Sequence, residues 1–227
     1  VMVAGEAHAR AGSEIDVDAP IEVGATQPPF VSRGGLKLAH ALTAFDIQVG
    51  GSVCLDVGAS TGGFTDCLLQ AGAARVYAID VGHGQLDWKL RQDPRVVCLE
   101  KTNIRYVSEL PERPQLATID VSFISLAKVL EPVAALTSEA GRIVALVKPQ
   151  FEAGPKRAPK GVVRDTHVHA EVIENVVGFA RSIGWHARGL VASPITGPAG
   201  NREFLLWLAR DGDDAVDESA IARCVAH

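Results

Sequence analysis

The chain has no apolar run approaching the ~18 residues that cross a bilayer as a helix, so no segment is available for a helical membrane role. It shows no secretory leader pattern. Its four cysteines, at positions 54, 67, 98 and 224, form no C-x-x-C pair. Cys54 and Cys98 lie inside apolar runs, the pattern of reduced core thiols, so a cytoplasmic protein without a membrane partner or metal site is expected. Two nucleotide motifs are also missing. There is no G-x-G-x-x-G, which disfavours a nicotinamide dehydrogenase, and no glycine-rich loop closed by Gly-Lys-Ser/Thr, which excludes a P-loop. No internal repeat is found.

What is present suits one sizeable α/β domain with a small appendage: 227 residues, 47% of them hydrophobic. The net charge of −5 is unevenly spread. Residues 211–218 hold five acids and no base, so the remainder is neutral. Between Arg142 and Arg164 there are six bases (Arg142, Lys148, Lys156, Arg157, Lys160 and Arg164) against one acid, Glu152. Such a strip can hold a phosphate backbone, although a solvated loop would read the same.

The most specific stretch is Val53-Cys-Leu-Asp-Val-Gly-Ala-Ser-Thr-Gly-Gly-Phe-Thr65. An apolar strand ends at Asp56, a turn carries Gly58, Ser60, Thr61, Gly62 and Gly63, and an amphipathic helix begins near Gly63 with Phe64. Glycines permit a tight turn and close approach to a ligand. A carboxylate at the strand end and free N–H groups at the helix start suit a polar cofactor. The G-x-x-x-G-G spacing fits S-adenosylmethionine (SAM), with its methionine half over the turn. Asp80 ends the next strand, 24 residues after Asp56, about the length of a strand–helix–strand unit. It is placed to accept from the ribose hydroxyls, and Thr102 and Asn103, at a third strand tip, to approach the adenine. Taken singly, these polar residues could equally cap helices.

From position 53 strands and helices alternate, which predicts a mostly parallel seven-stranded sheet with helices on both faces. Strands are expected at 53–57, 75–80, 96–100, 116–120, 142–147, 187–193 and 203–208. Helices are expected at 63–70, 84–91, 125–136 and 166–183. The turn-rich loop from Pro194 to Asn201 makes the last strand antiparallel. Ahead of these, Leu38, Ala41, Leu42 and Phe45 repeat at helical spacing, with Ser32 a cap and Lys37 at the edge of the stripe. Residues 1–23 read as two short strands from the end of a small domain, 24–30 as a linker, 31–210 as the main domain and 211–227 as an acidic tail.

Four polar residues should converge on the carboxyl edge of the sheet, where open α/β folds bind ligands. Asp120 and Lys148 end parallel strands, Glu203 opens the antiparallel one, and Lys37 lies on the first helix. A lysine whose charge is disfavoured by burial and by a second cation can take a proton from a hydroxyl. The second lysine then stabilises the alkoxide, while the two acids hold the amines. An isolated residue of this kind would more simply be a surface ion pair.

Six motifs carry a resemblance: Ser32-Arg-Gly-Gly-Leu-Lys37-Leu, Asp56-Val-Gly-Ala-Ser-Thr-Gly-Gly-Phe-Thr65, Gly82-His-Gly-Gln-Leu86, Asp120-Val-Ser-Phe-Ile-Ser-Leu126, Lys148-Pro-Gln-Phe-Glu152 and Gly200-Asn-Arg-Glu203. From about Val31 to Leu208 the chain resembles the TlyA (haemolysin A) family of ribosomal RNA methyltransferases, related to FtsJ. The resemblance implies a Rossmann-like SAM-dependent methyltransferase fold and 2′-O-methylation of ribosomal RNA cytidines. It also implies a catalytic tetrad of Lys37, Asp120, Lys148 and Glu203, and ribosomal subunits as partners. Residues 1–23 are similar to the end of the family's S-four-type RNA-binding domain, whose helical first part is not in this sequence. Two alternatives remain beside it: a non-enzymatic RNA-binding or haemolysin-like factor, and a base methyltransferase. The latter is disfavoured by the lack of an Asn/Asp-Pro-Pro-aromatic motif.

Overall fold

A computed structural model of the protein describes residues 2–3, 6–7, 14–22 and 28–226. Near the amino terminus, β1 (Met2–Val3) pairs antiparallel with β2 (Glu6–Ala7) and β3 (Ile21–Glu22). Among the described residues there are thus three short strands, where the sequence suggested two. Residues 24–27 of the expected linker lie outside the described residues.

The main body is built on a seven-stranded sheet. In chain order its strands are β4 (Val53–Val57), β5 (Arg75–Ile79), β6 (Val96–Leu99), β7 (Leu116–Ile119), β8 (Arg142–Val147), β9 (His186–Ala192) and β10 (Phe204–Ala209). Their spatial order is β6-β5-β4-β7-β8-β10-β9. From β6 to β8 all pairs are parallel, while β10 runs antiparallel to both of its neighbours, as expected.

Strict alternation along the strands divides the core in two. On one face Leu55, Val57, Ile79 and Ile119 pack under α4 (Ala127–Leu136), α6 (Thr166–Ser182) and α7 (Glu218–Ala226). On the other Cys54, Val76, Leu116, Val144 and Leu205 pack under α1 (Gly34–Ala44), α2 (Gly63–Gln70) and α3 (Trp88–Gln92). In α1, Leu38 and Ala41 are wholly buried. Burying a leucine side chain contributes about 1.5–3 kcal/mol, which seats this helix on the sheet.

Several local expectations are corrected. Helix α1 is preceded by Arg33 and has no side-chain cap; Ser32 offers its carbonyl to Gly35 N–H instead. Helix α3 starts only at Trp88, because Asp87 caps it by accepting from Lys89 N–H. A short helix, α5 (Pro149–Glu152), follows β8 directly. The acidic stretch 211–218 runs into α7, whose Ile221 and Val225 enter the core.

The basic strip 142–164 does not form one surface. Arg142 opens β8 and Lys148 follows its other end, on the order of 20 Å away at strand rise. Lys148 and Arg157 are taken by ion pairs with Asp120 and Glu171. The four cysteines carry free thiols, and burial pushes those of Cys54 and Cys67 up to about 12, which leaves them inert. Among the described residues no helix is long and apolar enough to cross a membrane.

Candidate active site

Strand order reverses between β4 and β7, which opens a crevice at the carboxyl ends of these two strands. Gly58 leaves β4 there with φ +87°, a left-handed conformation that favours glycine. A Cβ at Gly58 would lie 2.5 Å from the Asp120 carbonyl oxygen, so only a glycine lets the two turns meet. Two cavities flank this contact, of about 440 and 460 Å³, and both are lined by Gly58, Ser60 and Asp120.

Asp80, Thr102 and Asn103 line the second cavity, where the sequence placed them. The Asp80 carboxylate accepts from Ser60 N–H at 2.8 Å and from Gly82 N–H at 2.6 Å, so it shapes the turn as well as facing the cavity. A carboxylate has about four acceptor positions, so capacity remains for a ligand. Asn103 Oδ1 is engaged by Arg105 N–H and Nε. Thr102 donates its hydroxyl to the Glu100 carbonyl. Glu100 in turn fixes the loop after β5 by accepting from Gly84 N–H and Arg91, and the Arg91 hydrogen bond draws its carboxyl down to about 2.

Asp56 does not reach either cavity. Strand alternation puts it on the same face as Cys54, and it is fully buried beneath α2. Its carboxylate accepts from Thr65 Oγ1 at 2.6 Å and Thr118 Oγ1 at 3.2 Å. Burial raises its carboxyl to about 7; the Thr65 hydrogen bond opposes this and the charge of Asp120 adds to it. Asp56 therefore braces the glycine turn from behind. Gly62 likewise stays out of the cavities: with φ +97° it precedes α2, and a Cβ there would strike Leu90. Thr61, Gly63 and Phe64 line the first cavity.

The four tetrad residues meet as two ion pairs. Lys37 Nζ donates to Glu203 Oε2 at 2.5 Å, and Lys148 Nζ lies 2.5 Å from Asp120 Oδ1. Register explains the convergence: Phe204 pairs with Val147, so Glu203 and Lys148 sit side by side at the cavity edge of antiparallel β10 and β8. Lys37 and Lys148 are both 8% exposed, and Glu203 is 2% exposed. The immediate neighbour of each lysine is a carboxylate. Lys37 and Asp120 line the first cavity directly; Lys148 and Glu203 stand behind them.

Sequence reasoning missed other residues at the site. Ser122 accepts a hydrogen bond from Lys148 Nζ at 3.0 Å. Phe123 is 90% exposed at the mouth of the second cavity, has φ +63°, and its ring centroid lies 4.9 Å from that of Phe151. A bulky residue at positive φ is strained by about 1–3 kcal/mol, and such strain gathers at functional sites. Arg33 lines the first cavity and donates to the Thr196 carbonyl, which ties the start of α1 to the loop before β10. Ser122 and Phe123 follow Asp120 so closely that the position was legible; a role for them was not.

The profile of the FtsJ-like methyltransferases matches residues 30–210. The chain belongs to this family. It is 50% identical over 206 residues to the 16S/23S rRNA (cytidine-2′-O)-methyltransferase TlyA of Mycobacterium tuberculosis, covering 87% of this chain and 76% of that protein. It is 42% identical to hemolysin A of Brachyspira hyodysenteriae, covering 78% and 75%. A solved structure from Streptococcus thermophilus named "putative hemolysin" superposes with a TM-score of 0.87 at 44% identity, covering 98% of this chain and 82% of that one. As an FtsJ-like methyltransferase the chain needs a methyl donor, and the crevice fits SAM on its own geometry. Gly58 lets the first turn pack directly on the backbone of Asp120, the two cavities share Gly58, Ser60 and Asp120, and Asp80 retains acceptor capacity toward a ribose.

Proposed function

We propose that this chain methylates a ribose 2′-hydroxyl of ribosomal RNA, at a cytidine, using SAM. The observation that carries the reading is the meeting of two lysine–carboxylate pairs, Lys37–Glu203 and Lys148–Asp120, at a crevice bordered by the glycine turn. SAM, when bound, supplies an electrophilic methyl group on a sulfonium; the glycine turn, Asp80 and the tip at Thr102 and Asn103 hold it. The chain's own work is on the acceptor. A ribose hydroxyl needs a positioned base, and Lys148 fills that role once its amine is neutral. Lys37 lines the cavity and offers its ammonium to the developing oxyanion, a fixed charge on a side chain that is largely buried. Asp120 and Glu203 orient the two amines. The exposed ring of Phe123 offers a stacking face for an unpaired base, the usual way single-stranded RNA is read. Residues 1–23 would extend the RNA contact as part of a binding module, next to the methyltransferase unit of 31–210.

The test is incubation with radiolabelled SAM and purified ribosomal subunits, followed by alkaline hydrolysis. Label on a ribose 2′-oxygen blocks cleavage of the adjoining phosphodiester and appears in an alkali-resistant dinucleotide. Label released in a mononucleotide base would overturn the ribose assignment. No label at all would favour a non-enzymatic RNA-binding or haemolysin-like role.

A further inference from the structure

Lys148 is the residue assigned to take the acceptor's proton, yet it lines neither cavity. Its two polar contacts do: Asp120 borders both cavities, and Ser122 borders the second. Lys148 Nζ forms an ion pair with Asp120 Oδ1 at 2.5 Å and donates a hydrogen bond to Ser122 Oγ at 3.0 Å. On its remaining side the ring of Phe151 lies 5.9 Å away. The amine is therefore screened from the cavity by these neighbours. Of the two polar ones, a carboxylate can only accept hydrogen bonds when ionised, whereas a hydroxyl both accepts and donates. Ser122 is exposed and borders the second cavity, and its hydroxyl is within hydrogen-bond distance of Lys148.

We propose that Ser122 is a proton relay between the acceptor ribose and Lys148, a role that rests on the ribose methyltransferase reading above. With Lys148 neutral, Ser122 donates its hydroxyl proton to Nζ and accepts from the ribose O2′–H. In the transfer the O2′–H bond breaks and its proton passes to Ser122 Oγ. The original Ser122 proton moves to Nζ, giving the ammonium, which Asp120 stabilises. The electron pair left on O2′ forms the bond to the methyl carbon as the donor's carbon–sulfur bond breaks, and that bond's electron pair stays on sulfur, so the donor would leave as a neutral thioether. Serine ends unchanged and one proton resides on Lys148, to be released to solvent before the next cycle.

The relay is tested with Ser122→Ala and Ser122→Thr in the full chain. Alanine should lower kcat by roughly tenfold to a hundredfold, part of the 10²–10⁴ that general-base catalysis supplies, because a water can stand in less well. KM for the ribosomal subunit and SAM affinity should stay within about twofold, and threonine should restore most of kcat. Proton inventory in mixed H₂O and D₂O should be curved for wild type and threonine, reporting two protons in flight, and linear for alanine. Independently of turnover, NMR of lysine Nζ groups in the free protein should show the Lys148 ammonium protons exchanging faster with water in Ser122→Ala. Wild-type kcat in Ser122→Ala, or a linear inventory in wild type, overturns the relay while leaving ribose methylation standing. Absence of transfer by the wild-type chain overturns both.

Discussion

On the β4–β6 side of the site, the candidate cofactor contacts come from residues 58 to 103 and are shaped by backbone groups, as where Asp80 gathers the N–H groups of Ser60 and Gly82. On the β7–β10 side, Lys37 meets Glu203 across 166 positions of sequence and Lys148 meets Asp120, both through side chains. The first arrangement is a local motif: a strand, a glycine turn and a helix that would bind much the same way in another protein. The second exists only when the whole sheet is assembled. Binding of the donor and activation of the acceptor are thus separable in construction, and Gly58 packed on Asp120 is where they touch.

Lys148 gives the sharpest test of that separation. Lys148→Ala should lower methyl transfer by a factor of about 10²–10⁴, the usual share of a positioned general base, and leave SAM affinity within about twofold. Lys148→Arg should not rescue it, since a guanidinium keeps its proton at any accessible pH. Single-turnover rates and calorimetric SAM titration on the same preparations decide it. A loss of SAM affinity alongside rate would mean the two sides are one unit.

Asp56 should affect stability with little effect on either side's chemistry. Its carboxyl is raised from 3.8 to about 7 in the folded protein. Below about pH 4 both folded and unfolded chains hold the proton. Between about 4 and 7 the unfolded chain releases it first, so stability falls as pH rises through that window and stays lowered above it. The difference amounts to on the order of 4 kcal/mol. Asp56→Asn keeps an acceptor for Thr65 and cannot ionise. It should therefore gain on wild type in urea melts as pH goes from 4.5 to 8. Parallel stability profiles would show that Asp56 is ionised in the fold.

Asp80→Ala is expected to have the smallest effect. It removes charge-assisted hydrogen bonds of about 1.5–3 kcal/mol each to a bound ribose, partly offset by water, so SAM affinity should fall about tenfold or more. Because Asp80 also holds two turn N–H groups, amide exchange at Ser60 and Gly82 should quicken in the same variant. Unchanged affinity in a folded variant would remove Asp80 from the cofactor side.

The difference between the two sides also explains what the sequence could tell. The glycine turn, the strand alternation and the antiparallel last strand were legible because each is fixed by neighbours within a few residues. The inward turn of Asp56 was legible in principle, since Cys54 and Asp56 share a face, but the motif drew it toward the cofactor. Helix α7 was obscured by the acids ahead of it, although Ile221 and Val225 repeat at helical spacing after a capping Asp217. The basic strip failed because charge counted along the chain ignores that one strand separates Arg142 from Lys148. Ser122 gained its role only from a hydrogen bond to a residue 26 positions away.

Strand β10 follows β9 in sequence, yet it lies between β8 and β9 rather than at a sheet edge. Closing contacts that distant in sequence is slow, because the ordering entropy is spent before the contacts form. During synthesis the glycine turn and its strands can fold once β4 to β6 have emerged, because their contacts are local. Lys37 has no carboxylate from Glu203 until β10 has emerged. A nascent or truncated chain ending before β10 would therefore be able to hold the donor side together while lacking the acceptor side, which makes the emergence of β10 the step that switches the acceptor chemistry on.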